Sequence, residues 1–180
     1  MISSKFVKGF LFLLIALFLF SCAGSGEINR YNRNVRYFFS SIRNIDKKIV
    51  TLSDGTMWKT NRFLIAVNLS DVMVVLEESV PAGYLYINNS KYNVSLLEGS
   101  FKINYGYLDQ LTRVDTSENT FSLSNGTGWL TTAENIRMIN EWQSIPEVVV
   151  SLDKTTIINP RKMEFAKIVE ITKLDSSKGK

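Results

Sequence analysis

Apolar residues follow three different spacings along this chain, and each spacing predicts a different element. From Phe10 to Phe20 they run without a break. At about 1.5 Å per helical residue that run covers only about half of a ~30 Å hydrocarbon core, so it predicts a removable segment and not a spanning helix. From Ile28 through Tyr31, Val35, Phe38, Ile42 and Ile45 the apolar positions fall three and four apart, the period of an amphipathic helix. Beyond that point alternation takes over. Val50 and Leu52 alternate with Thr51 and Ser53, and Phe121 and Leu123 with Ser122 and Ser124, as in a half-buried strand. Val72 to Leu76 is apolar on both faces and suits a central strand, while Tyr84 to Ile87, Tyr92 to Leu97 and Met163 to Val169 predict further strands. Segments 61–69 and 133–142 fit either a short helix or a loop.

The strand-rich part repeats itself. Leu52-Ser53-Asp54-Gly55-Thr56-Met57-Trp58-Lys59-Thr60 returns 71 residues later as Leu123-Ser124-Asn125-Gly126-Thr127-Gly128-Trp129-Leu130-Thr131, matching at six of nine positions. Upstream, Phe38, Phe39, Ile42, Ile45 and Asp46 align with Tyr107, Leu108, Leu111, Val114 and Asp115, with two extra residues in the second turn. Downstream, Met73-Val74-Val75 aligns with Val148-Val149-Val150, and Tyr86-Ile87-Asn88 with Ile157-Ile158-Asn159. Asp54-Gly55 and Asn125-Gly126 are type I′ hairpin signals, because Asp, Asn and Gly tolerate positive φ. The alignment also limits the helix: residues 37–46 match 106–115, where the pattern favours a strand, so a helix in the first segment stops near Arg36.

Two units, 37–100 and 106–172, each with five or six short strands, predict an all-β fold of two tandem small antiparallel barrels, closed so as to leave few exposed edges. The order of apolar strand, Asp-Gly or Asn-Gly turn, Trp strand and valine-rich strand resembles SH3-like barrels of bacterial secreted proteins. Trp58 and Trp129 are expected inside, one aromatic plug per unit. The polar tail 173–180 is expected to be disordered.

Charge changes this picture in one place. The formal net charge of +4 is concentrated in residues 27–48, where Arg30, Arg33, Arg36, Arg43, Lys47 and Lys48 face only Glu27 and Asp46. In residues 49–180 acidic groups slightly outnumber basic ones, so the body is no basic platform for nucleic acid. Arg30, Arg33 and Arg36 are expected to lie beside a membrane, where each contributes about 1 kcal/mol near an anionic surface.

Candidate chemistry is sparse. The chain has no histidine, which removes the commonest general base and metal ligand, and with it Ser-His and Cys-His triads and the usual zinc sites. Glu77 and Glu78 are adjacent and, on a strand, would point to opposite faces, a poor arrangement for paired acid–base work. Asp54 has Asn125 as its counterpart, an exchange a turn accepts and a catalytic acid does not. No catalytic residue, metal or cofactor is expected. Tyr84, Tyr86, Tyr105 and Tyr107 gather at the junction of the units and are the candidate partner-binding residues.

The remaining motif is an address. Lys5 and Lys8, the apolar run and Leu19-Phe20-Ser21-Cys22 divide as a secretory signal does, and Leu19 to Cys22 resembles the lipobox of bacterial lipoproteins. That resemblance implies removal of residues 1–21, acylation of Cys22, a basic tether over 22–36, and stable anchoring to a lipid bilayer without a transmembrane helix. It implies a place in the cell envelope, at the outer membrane, facing the periplasm or the surface. Anchoring and the missing catalytic groups lead to the expectation of a non-enzymatic binding or scaffold module, its partner an envelope protein, peptidoglycan or a host molecule. The alternatives are a carboxylate-dependent hydrolase acting on glycan or cell wall, and a structural subunit of an envelope complex.

Overall fold

The computed structural model describes residues 33–171 except Val67 and Ser79. Cys22, Arg30 and the tail 173–180 lie outside the described residues. Period-two alternation from residue 49 onward becomes strand, as expected, but the three-and-four spacing does not become helix where it can be followed. Arg33 already belongs to β1 (Arg33–Asp46), because this segment has a backbone partner on each side, β4 (Asp71–Glu77) and β7 (Asn104–Asp115). Two ladders of hydrogen bonds outweigh a weak local helical preference. The strand thus already includes Arg33, four residues before the expected boundary at 37.

The described fold is all-β with one α-helix. β1, β2 (Ile49–Leu52), β3 (Met57–Thr60), β6 (Ser90–Glu98), β5 (Ala82–Ile87) and β4 pair in that order, all antiparallel. The β1–β4 pairing closes them into a six-stranded barrel. The side chains of Phe38, Ile42, Leu52, Trp58, Val72, Val74, Leu85 and Ile87 fill it.

Beyond the barrel, β7 pairs with β8 (Thr120–Leu123) and β10 (Glu147–Ser151), and β8 with β9 (Gly128–Leu130). β11 (Thr156–Asn159) joins β10 to β12 (Glu164–Lys167), and β13 (Val169–Ile171) returns to β9. The segment left open between helix and loop at 133–142 is helix α1 (Ala133–Glu141), capped by Thr132 Oγ1 accepting from the Asn135 amide at 3.2 Å. Ile136 and Ile139 are its buried face, and Trp142, three residues on in the 3-10 turn that follows, is buried as well. The indole N–H of Trp142 donates to Glu164 at 2.6 Å. Segment 61–66 forms no helix.

Leu111, Phe121, Trp129, Ile136, Trp142 and Ile157 form a second core, and a third lies between the barrel and the C-terminal strands. Val35, Tyr37, Met73, Val75 and Tyr86 pack there against Leu108, Val149 and Ile158. This explains the unbroken apolar runs: Val72, Val74 and Leu76 face the barrel while Met73 and Val75 face the junction, so the strand is buried on both sides. Val148 and Val150 likewise face the second core and Val149 the junction. Met73 therefore shares its face with Val149, not with Val148, and Tyr86 shares the junction face with Ile158.

β1 and β7 meet in the same junction, Val35 opposite Gly106. A Cβ on Gly106 would lie 2.4 Å from the Val150 carbonyl oxygen and 3.2 Å from the Tyr37 ring, so only glycine allows this close approach.

Candidate functional site

Both glycine turns differ from the expected type I′. Gly55 and Gly126 have φ of 86° and 82°, whereas Asp54 and Asn125 are not among the positive-φ residues. The Gly55 amide donates to Leu52 O and the Gly126 amide to Leu123 O, both at 3.0 Å. Each loop is thus a three-residue turn ending in a left-handed glycine. The side chains explain the preference. Asp54 Oδ1 accepts from the Thr56 amide at 3.0 Å and from its hydroxyl at 2.7 Å, and Thr56 Oγ1 accepts from the Trp58 indole N–H at 2.7 Å. Asn125, Thr127 and Trp129 repeat this relay at 2.9, 2.7 and 2.8 Å. Since only a carbonyl-type oxygen is needed, Asp and Asn are equivalent here. Trp58 and Trp129 are both buried, as expected.

What covers the two indoles differs. Phe101 stacks on Phe38 at 4.3 Å between ring centroids and reaches Trp58 at 5.6 Å. Tyr107, opposite Val150 as Phe38 is opposite Val74, instead borders with Trp129 a cavity of about 200 Å³. Asp109 stands in its wall. This residue is fully buried; its Oδ1 accepts from the Gln110 amide and from Ser124 Oγ, and its Oδ2 has no hydrogen-bond partner in the protein. Lys154 and Glu170 also line the cavity and pair at 2.7 Å. That hydrogen bond holds the Lys154 ammonium above its ordinary pKa.

A second cleft, of about 320 Å³, lies where β1, β4 and β7 meet. Glu77 ends β4 and Glu78 follows it, and both line this cleft. Arg33 pairs with Glu77 at 3.1 Å, and Asn34 donates to Glu78 at 3.1 Å. Arg36 donates to the carbonyls of Glu77 and Val80 at 3.3 and 3.0 Å. The two arginines assigned to the tether are thus engaged with the end of β4.

The tyrosines separate into three situations. Tyr86 is fully buried and donates to Glu147 Oε1 at 2.6 Å; burial, then Glu147, raises its pKa far above the ordinary phenol value. Lys91 reaches the other oxygen of Glu147 at 2.6 Å and lies 3.8 Å from the centroid of the half-buried Tyr84 ring. Tyr84 and Tyr86 thus flank a charged clasp between the barrel and β10, and solvent does not reach Tyr86. Tyr105 is 51% exposed, and Tyr107 lines the Asp109 cavity. The sequence offers Asp109 only as one acid open to the carboxylate-dependent alternative, with nothing to mark it as buried. Among the described residues, no group of three His, Cys, Asp or Glu side chains is placed to hold a metal. Comparison with known proteins finds no matching family, no matching curated protein and no matching solved structure.

Proposed function

We propose that this chain is a lipid-anchored, non-enzymatic binding or scaffold module of the bacterial envelope, at the outer membrane, made of two tandem SH3-like barrels. The observation that carries the anchoring is Cys22, the chain's only cysteine, set directly after a short apolar run in a lipobox-like sequence. Support for a second barrel comes from the pairing of β7 through β13. β7 neighbours β8 and β10 as β1 neighbours β2 and β4. β12 and β13, separated only by Ile168, take the two pairings that β6 makes alone. The register shifts at Ile42/Asn44 and Leu111/Arg113 also correspond. The contact surface of the module is the C-terminal half around Tyr105 and Tyr107, since Tyr84 and Tyr86 serve the clasp.

In cells, Cys22→Ser should abolish metabolic lipid labelling and move the protein out of the detergent phase. Crosslinked capture from the envelope should then weaken in Tyr105→Ser/Tyr107→Ser at unchanged thermal stability. Continued labelling of the Cys22→Ser variant overturns the anchor, and turnover of a glycan that depends on Glu77 or Asp109 overturns the binding module.

A further inference from the structure

The hollow beside Trp129 combines features that the first barrel lacks. Ser40, opposite Val72 on β1, stands where Asp109, opposite Val148, stands on β7. In the barrel Phe38 and Trp58 touch each other and Phe101 packs on both; Tyr107 and Trp129 instead line a cavity. The acid and the cavity therefore occur together on one copy of an otherwise shared local framework.

A buried carboxylate is costly to leave partly unpaired. Asp109 Oδ1 has two donors while Oδ2 has none from the protein. The other charges of the wall, Lys154 and Glu170, already neutralise each other, so Asp109 is the one acid in the wall of the cavity without an opposite charge beside it. At about 200 Å³ it is smaller than the roughly 300–1,000 Å³ typical of whole-ligand sites, yet several times the ~30 Å³ share of one water. It suits a side chain, not a whole small molecule. Its aromatic wall agrees with a cation: the Trp129 N–H is spent on Thr127, leaving the indole to offer apolar and π surface.

We propose that this cavity binds a basic side chain, the ammonium or guanidinium group of a protein partner, with Asp109 as its counter-ion. The proposal deepens the binding-module reading and rests on it. Charge-assisted hydrogen bonds are the strong ones, so Asp109 Oδ2 selects a charged donor over a neutral one of the same length.

The test uses the isotope-labelled full chain in zwitterionic micelles, titrated with the methylamides of N-acetyl-lysine, N-acetyl-arginine and N-acetyl-norleucine, reading the Trp129 indole N–H signal. A saturable shift is expected with a basic probe and not with the uncharged norleucine. Asp109→Asn should weaken binding about tenfold or more, because its amide oxygen can still accept from Ser124 and Gln110 while the charge is gone. If that variant fails to fold, the norleucine comparison on the unaltered protein decides. No saturable shift, an equal shift with norleucine, or an Asp109→Asn variant that binds as well would overturn the proposal. So would nuclear Overhauser contacts from Trp129 to Leu174 that persist at saturating probe, since they would give the cavity to the chain's own tail. Lipid labelling at Cys22 is read independently, so failure here is distinguishable from failure of the anchored-module reading.

Discussion

Around Trp58 and around Trp129 the chain builds the same relay of Asx oxygen, threonine hydroxyl and indole N–H, with six corresponding distances agreeing within 0.1 Å. The surroundings of the two rings nevertheless diverge. One is sealed by Phe101; the other borders a cavity with a buried acid in its wall. Each hydrogen bond of the relay spans two residues, and together they fix only the turn and the tilt of the indole. Whether the ring becomes core or the wall of a cavity is decided by residues far away in sequence.

The largest expected effect breaks the comparison outright. Trp58→Ala should lower stability in urea denaturation by roughly 3–5 kcal/mol, the range for a buried Trp replaced by Ala. Trp129→Ala should fall at or below the lower end, because its ring already borders empty space; equal losses would show that the cavity does not relieve packing.

The joint between the two regions can be tested by alkali. Burial and Glu147 keep the Tyr86 proton bound in the folded state, whereas the unfolded chain releases it near pH 10. Above that pH the unfolded state binds fewer protons, so stability falls as pH rises, by up to about 1.4 kcal/mol per pH unit for this one group. Its contribution is fully present below about pH 10. Tyr86→Phe should be less stable at neutral pH and should lose one proton's worth of this alkaline slope, as read by denaturation at a series of pH values.

Smaller effects sharpen the comparison. Thr56→Val leaves the Trp58 N–H buried without an acceptor and should cost about 1–3 kcal/mol, while Thr127→Val should cost less because Thr127 is only partly buried. Asp54→Asn should change thermal stability least, within about 0.5 kcal/mol, since Asn125 already performs the same task.

These contrasts show which part of the fold the sequence could carry. The repeated turn motif and its buried tryptophans were legible because they lie within nine consecutive residues, whereas the turn type and the hydrogen-bond relay behind it were not read from them. The strands were legible from alternation, and Val72 to Leu76 from its unbroken apolar run. Arg33 to Arg36 misled because their local spacing is helical and their partners on β4 and β7 are distant. The same remoteness concealed the junction core, to which Met73 and Val75 contribute from β4 and Val149 from β10. Helix α1 left a usable signal in the three-residue spacing of Ile136, Ile139 and Trp142 after the cap at Thr132. Asp109 left none, because the residues that meet it, Ser124 and Val148, are distant in sequence.

The double pairing of β1 has a mechanical consequence. Residues 35–37 are gripped on one side by β4 and on the other by β7, and the hydrogen bonds of antiparallel ladders lie across the strands. Tension applied to the chain ahead of Arg33 therefore runs along the strand axis and shears two rows of bonds together instead of peeling one row open bond by bond. Traction arriving from that end is divided at once between the barrel and the strands beyond it, and neither yields until β1 slides past both neighbours.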